Sequence, residues 1–259
     1  MITTKDLYAG YENKLILKGL DLQLMPENLS VLAGPNGAGK STLLFALLGF
    51  LRPQKGEINL FGKPLARYTR PELAKLIAFV PQESFFQFDY SVFDIVMMGR
   101  YPYLGFMQSW SPEDKEIVTK LLDNLSLRDM KDRLYSSLSG GEKQRVLIAR
   151  ALAQQTSYIF LDESLSELDI NHQVEIIQLL RNINREQGIG ILLVSHNLNL
   201  AANYADELVF LKDGKLLGCG KPEEMMNPGM LKELFGLDLS THPHPQSGTP
   251  NLIYPAPTV

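Results

Sequence analysis

The chain's densest chemistry lies in Gly34-Pro35-Asn36-Gly37-Ala38-Gly39-Lys40-Ser41, which matches the spacing G-x-x-x-x-G-K-[ST]. An apolar run, Leu29 to Ala33, precedes it, and Thr42 to Gly49 reads as a helix behind it. A loop in that context is suited to polyphosphate. Its glycines let backbone N–H groups turn inward, the helix N-terminus adds positive potential, and Lys40 brings a charge to the β- and γ-phosphates. Ser41 is then placed to ligate Mg²⁺, and Thr42 continues the contact into the helix.

A second group follows the apolar run Tyr158-Ile159-Phe160-Leu161, which ends in Asp162-Glu163. Two carboxylates thus emerge at the carboxyl end of a buried strand, where open α/β sheets bind their ligands. Asp162 suits the outer sphere of Mg²⁺, behind its direct ligands, and Glu163 suits a base that polarises a water for in-line attack on a γ-phosphate. A third group, Leu138-Ser139-Gly140-Gly141-Glu142, opens a helix. A hydroxyl and flexible backbone donors at a helix N-terminus make a further anion site.

With Ser139-Gly140-Gly141 beside the phosphate loop and the Asp162-Glu163 pair, nearly the whole chain resembles the ATP-binding-cassette (ABC) ATPases. The resemblance implies Mg-ATP as ligand, and implies roles residue by residue. Tyr11 matches the aromatic that stacks on adenine, with Tyr8 a nearby alternative. Gln82, after Phe79-Val80-Pro81, matches the glutamine that reaches Mg²⁺ and the attacking water. His196, after Val194-Ser195, matches the switch histidine at the γ-phosphate, and Asp169 matches the aspartate of a loop crossing a dimer interface. Ser139, Gly140, Gly141 and Glu142 match the signature that completes the site of a second copy, which implies a head-to-tail homodimer. One departure stands out: the family usually continues Asp-Glu with Pro-Thr-Ser, whereas this chain has Ser164-Leu165-Ser166 and so lacks a fixed φ beyond Glu163.

These residues need a scaffold, and the pattern supplies one. Alternation in Leu20-Asp21-Leu22-Gln23-Leu24 and Glu57-Ile58-Asn59-Leu60-Phe61 predicts antiparallel strands near the N-terminus. The continuous apolar runs 29–33, 158–161 and 191–194 read as strands of a parallel sheet buried on both faces. Ser111-Pro112-Glu113-Asp114 reads as a helix start, with Ile117, Val118, Leu121, Leu122 and Leu125 on one face. Asp213-Gly214 between apolar segments predicts a hairpin. The fold class expected is α/β: a P-loop NTPase (RecA-like) with a mostly parallel core, an N-terminal antiparallel β subdomain and an inserted helical subdomain. The expected boundaries are 1–236 for the ATPase domain, about 86–136 for the insertion, and 237–259 for an irregular extension in which Pro243, Pro245, Pro250, Pro255 and Pro257 accumulate.

The 259 residues suffice for one large α/β unit with a subdomain. A formal charge of -4 gives no basic footprint, so nucleic acid is not expected as a partner. The single cysteine, Cys219, excludes an internal disulfide. Met1 to Asp6 lacks a signal-peptide pattern, and no apolar stretch reaches the ~20 residues of a spanning helix. The expected place is therefore the cytoplasm, and the family resemblance implies a peripheral position at the cytoplasmic face of the cell membrane. His242 and His244 sit among prolines and are given no metal role.

Phe88 to Pro102, which includes Gly99-Arg100-Tyr101-Pro102, resembles the cassettes of metal-chelate importers serving ferric siderophores, haem and cobalamin. That likeness implies transmembrane permease subunits and an extracytoplasmic substrate-binding protein as partners. The competing reading is a soluble ABC ATPase coupled to a non-transport machine, or an importer of another small solute.

Overall fold

The computed structural model describes residues 1–12, 14–82, 86–105, 107–166 and 168–254. Pro255 and Pro257 of the expected extension lie outside the described residues. The chain divides into two units, one made of residues 1–68 with 177–259 and the other of residues 69–176.

The first unit begins with β1 (Ile2–Tyr11), β2 (Lys14–Leu24), β3 (Leu29–Ala33), α1 (Lys40–Leu47), β4 (Lys55–Leu60) and β5 (Lys63–Pro64). Strands β2-β1-β4-β5 form an antiparallel sheet in that order, with Ile2 opposite both Leu24 and Leu60. The alternation seen in the sequence is its cause: Leu20, Leu22, Leu24, Ile58 and Leu60 are buried, whereas Asp21 and Gln23 face water. Strand β3 is buried at every position.

The second unit contains α2 (Arg70–Ala74), β6 (Ile77–Val80), α3 (Val92–Met97), α4 (Pro112–Asn124), α5 (Gly140–Ala153), β7 (Tyr158–Leu161) and the start of α6 (Ile170–Gln187). Strands β6 and β7 run parallel, Ile77 opposite Tyr158 and Val80 opposite Leu161. Helices α2, α3, α4 and α5 each begin with a reciprocal capping box, on Thr69/Glu72, Ser91/Asp94, Ser111/Asp114 and Ser139/Glu142. Such boxes satisfy two otherwise orphaned amides and set where each helix starts. The helix expected at Ser111-Pro112 forms there and buries Val118, Leu122 and Leu125.

The segment between α3 and α4 is pinned by one buried cation. Arg100 is 5% exposed; its Nε donates to Asp114 Oδ1 at 2.8 Å, and one terminal nitrogen donates to Ala153 O and Gln155 Oε1, both at 2.8 Å. The Arg100 hydrogen bond, aided by Ser111, holds the Asp114 carboxyl below its ordinary range against the opposing effect of burial. Removing one partner strands a buried charge, so Arg100→Ala is expected to lower the unfolding free energy by about 3–5 kcal/mol in urea titrations. A depressed carboxyl contributes stability above its unfolded pKa of about 3.9 and loses it as pH falls through the lower folded value. The acid limb of the stability profile should therefore be shallower in Arg100→Ala than in the parent.

The chain returns to the first unit through β8 (Gly190–Val194), α7 (Leu198–Tyr204), β9 (Glu207–Lys212), β10 (Lys215–Gly220), α8 (Pro222–Met225), α9 (Pro228–Phe235), β11 (Ser240–Pro243) and β12 (Pro250–Ile253). Strand β3 lies parallel to and between β8 and β9, and β10 pairs antiparallel with β9. The β9–β10 hairpin turns on Asp213 (φ 50°) and Gly214 (φ 80°), as Asp-Gly predicts.

The tail differs from the irregular extension expected of it. Strands β11 and β12 form an antiparallel ribbon, and Pro243 lies opposite Pro250 at its turn end, where the missing N–H groups cost least. Asn199 of α7 pins it: its amide donates to Leu252 O at 3.1 Å and accepts from Leu252 N at 2.7 Å. Among the described residues, no helix is long and apolar enough to cross a membrane.

Candidate functional site

In the first unit, β3 ends at Ala33 and the chain turns through Gly34 to Gly39 into α1. A Cβ at Gly34 would stand 2.1 Å from Leu211 O, so no side chain fits where β3 opens into the loop. Gly39 is the N-cap of α1 with φ 105°, a conformation that glycine alone adopts without strain. Ala38 N donates to Pro35 O at 3.1 Å, and Gly214 N donates to Ala38 O at 3.0 Å, fastening the loop to the β9–β10 turn. Lys40, 5% exposed, folds its ammonium back over the loop, donating to Gly34 O at 3.0 Å and Pro35 O at 3.2 Å. Asn36 and Gly37 form the exposed tip, and Thr42 is buried in the first turn.

Strand β8 runs parallel to β3 with Val194 opposite Leu32, and Ser195 N donates to Leu32 O at 3.2 Å. His196 therefore leaves β8 at the same edge at which Gly34 leaves β3. The next residue, Asn197, caps α7 by accepting from Leu200 N at 3.1 Å. At the end of β1, Tyr11 is 47% exposed, whereas Tyr8 is engaged: the Lys55 ammonium lies 4.9 Å from its ring centroid.

In the second unit, Gln82 follows β6 and Asp162 follows β7, so both leave neighbouring parallel strands at one edge. Asp162 is buried, and its N–H donates to Val80 O at 3.0 Å. Glu163 has φ 44°, the left-handed region that costs a non-glycine residue about 1–3 kcal/mol and that collects at functional positions. Ser166 braces it, donating to Glu163 O from its N–H at 3.0 Å and from Oγ at 2.7 Å.

Ser139 caps α5: its Oγ accepts from Glu142 N at 3.4 Å, and its own N–H donates to Glu142 Oε2 at 2.7 Å. That amide, the Ser139 hydroxyl and Arg133 keep the Glu142 carboxyl below its ordinary range. Gly140 is exposed and Gly141 buried. Asp169 accepts from His172 N at 3.0 Å, which together with the His172 ring lowers its pKa. Thus the glycine loop 34–39 and His196 share an edge in one unit; Gln82, Asp162 and Glu163 share an edge in the other.

A family model described as ABC transporter matches residues 17–166. The chain belongs to the ABC transporter family. It is 39% identical over 249 residues to the achromobactin transport ATP-binding protein CbrD of Dickeya dadantii (strain 3937), covering 96% of this chain and 93% of the relative. The hemin import ATP-binding protein HmuV of Gloeobacter violaceus is 39% identical over 260 residues, covering 98% and 94%. A solved structure described as a metal-chelate type ABC transporter in an inward-facing conformation superposes with a TM-score of 0.85 at 30% identity, covering 97% of this chain and 96% of that one. This ABC ATPase therefore binds and hydrolyses ATP, and its fold is the expected α/β P-loop type with mostly parallel core strands and an antiparallel N-terminal sheet.

Two residues that sequence reasoning passed over also belong to this region. His172 and Gln173 contact the loop that follows Glu163; the spacing Asp169-x-x-His172 is the signal, an acid able to cap a helix whose third residue can reach back.

Proposed function

We propose that this ABC ATPase powers the import of a metal chelate, of the ferric siderophore, haem or cobalamin class, through separate transmembrane permease subunits. Identity near 39% over almost the full length to achromobactin and hemin import subunits carries the reading. On this reading residues 1–236 are the ATPase domain, with 86–136 as its helical insertion and 237–259 as its extension. The chain acts as a homodimer, peripheral to the cytoplasmic face of the membrane, and an extracytoplasmic binding protein delivers the chelate. Nucleic acid is no partner.

Backbone N–H groups of Gly34 to Ser41 hold the phosphates, with Thr42 continuing the contact, and Lys40 supplies the fixed positive charge. Tyr11, exposed where Tyr8 is not, stacks on adenine. The donor set fits Mg²⁺: the Ser41 hydroxyl, the Gln82 amide oxygen and the buried Asp162 carboxylate are the hard oxygens this ion takes. When bound, Mg²⁺ neutralises charge on the β- and γ-phosphates. Glu163 orients and polarises a water that attacks the γ-phosphorus. The bond from that phosphorus to the bridging oxygen breaks, leaving ADP and phosphate. His196 contacts the γ-phosphate, and Ser139, Gly140, Gly141 and Glu142 of a second copy close over it beside Asp169.

Affinity purification of the tagged chain from solubilised native membranes, followed by mass spectrometry, tests this. A multi-span permease is expected to come with it. Recovery of soluble partners alone would overturn import and leave ATP hydrolysis standing.

A further inference from the structure

The first turn of α6 holds the loop between Glu163 and Asp169 at several points. Asp169 accepts the His172 N–H at 3.0 Å, and its other oxygen meets His172 Nδ1 at 2.8 Å. Gln173 Nε2 donates to Leu165 O at 3.1 Å and to Leu168 O at 3.0 Å, taking up two carbonyls of the loop itself. The same histidine reaches the signature: a Cβ at Gly141 would lie 2.3 Å from His172 Cδ2, so the imidazole sits where any side chain at residue 141 would stand. About one turn further along both helices, Arg145 and Glu175 pair at 2.6 Å, so the contact is not an isolated touch.

We propose that His172 and Gln173 are positioning residues: Gln173 fixes the loop that carries Glu163, and His172 fastens that loop to the signature glycine so that the two move as one piece. Neither touches reacting atoms. They act through Glu163, Asp169 and Gly141, and the inference rests on the roles proposed above for those residues. It also accounts for the departure at Ser164-Leu165-Ser166. Where a proline would restrict the backbone covalently, this chain uses side-chain donors: Ser166 on Glu163 O, and Gln173 on Leu165 O and Leu168 O.

The consequence is kinetic. Misplacing a catalytic group by about 1 Å costs up to ~100-fold in rate, whereas nucleotide held by another segment is little affected. His172→Ala and Gln173→Leu are each expected to lower kcat at least about tenfold, with ATP affinity and the melting temperature near those of the parent. His172→Asn, whose amide can donate to Asp169 in place of Nδ1, should recover most of the lost kcat. The ring contact has its own signature: Gly141→Ala should cost less in the His172→Ala background than in the parent, because its methyl then meets no imidazole.

Phosphate release and fluorescent-nucleotide titration on the full chain, with thermal melts, decide the matter. Parental kcat in His172→Ala and Gln173→Leu would overturn the proposal. So would a loss of kcat that tracks a falling melting temperature, is not rescued by His172→Asn, and is additive with Gly141→Ala. Glu163→Gln runs alongside as control: if it retained parental turnover, the role of Glu163 would fall, whereas an inactive Glu163→Gln beside fully active His172→Ala and Gln173→Leu would sink only the positioning roles.

Discussion

Glu163→Gln is expected to cut ATP turnover by about 10²–10⁴-fold while Mg-ATP binding persists, the range contributed by a positioned general base. Glutamine preserves the volume of the side chain but removes its negative charge, and with it the capacity to take a proton. The Ser166 braces act on the Glu163 carbonyl, which the substitution leaves in place, so the left-handed turn should persist. ATP is then bound and not spent, and the closed dimer should accumulate. Phosphate release measures the loss; size-exclusion chromatography with and without Mg-ATP measures the trapped dimer. Substantial remaining hydrolysis would move the base to another residue.

Lys40→Ala should act earlier, on binding itself. A charge-assisted hydrogen bond contributes about 1.5–3 kcal/mol, and its loss in a buried setting corresponds to ATP affinity weakened by about 10- to 150-fold. Lys40 has a second task here, because its ammonium bridges Gly34 O and Pro35 O and so shapes the loop it serves. Fluorescent-nucleotide titration reads the effect directly. Unchanged affinity would mean that the backbone donors of the loop hold the phosphates unaided. The two variants separate the steps: one binds and stalls, the other binds weakly.

What could be read from the sequence was what lies close together along the chain. The strand-loop-helix context of residues 29–47 follows from an apolar run, glycines at fixed spacing and a second apolar run. The starts of α4 and α5 follow from Ser111 and Ser139, each with an acid three residues on. The Asp213-Gly214 turn is equally local. Arg100 shows where such reading stops: nothing near it in the sequence marks it as buried, yet it sits on Asp114, Ala153 and Gln155, groups up to 55 residues away. Periodicity carries no record of such a meeting. The tail fails for the same reason, since prolines argue against strands until Asn199 supplies the partner that makes a ribbon worthwhile. The contact of His172 with Gly141 likewise joins residues 31 apart in sequence, and only the folded backbone brings them within reach.

That asparagine has a consequence for the molecule among its own kind. A two-stranded ribbon ordinarily offers an open row of amides and carbonyls, a template on which another chain can add a strand and begin to aggregate. At Leu252 both the N–H and the carbonyl are taken by the two ends of one side-chain amide, which does at that residue what a third strand would do. Helix α7 thereby closes that position of the β12 edge to strand addition by a neighbouring molecule.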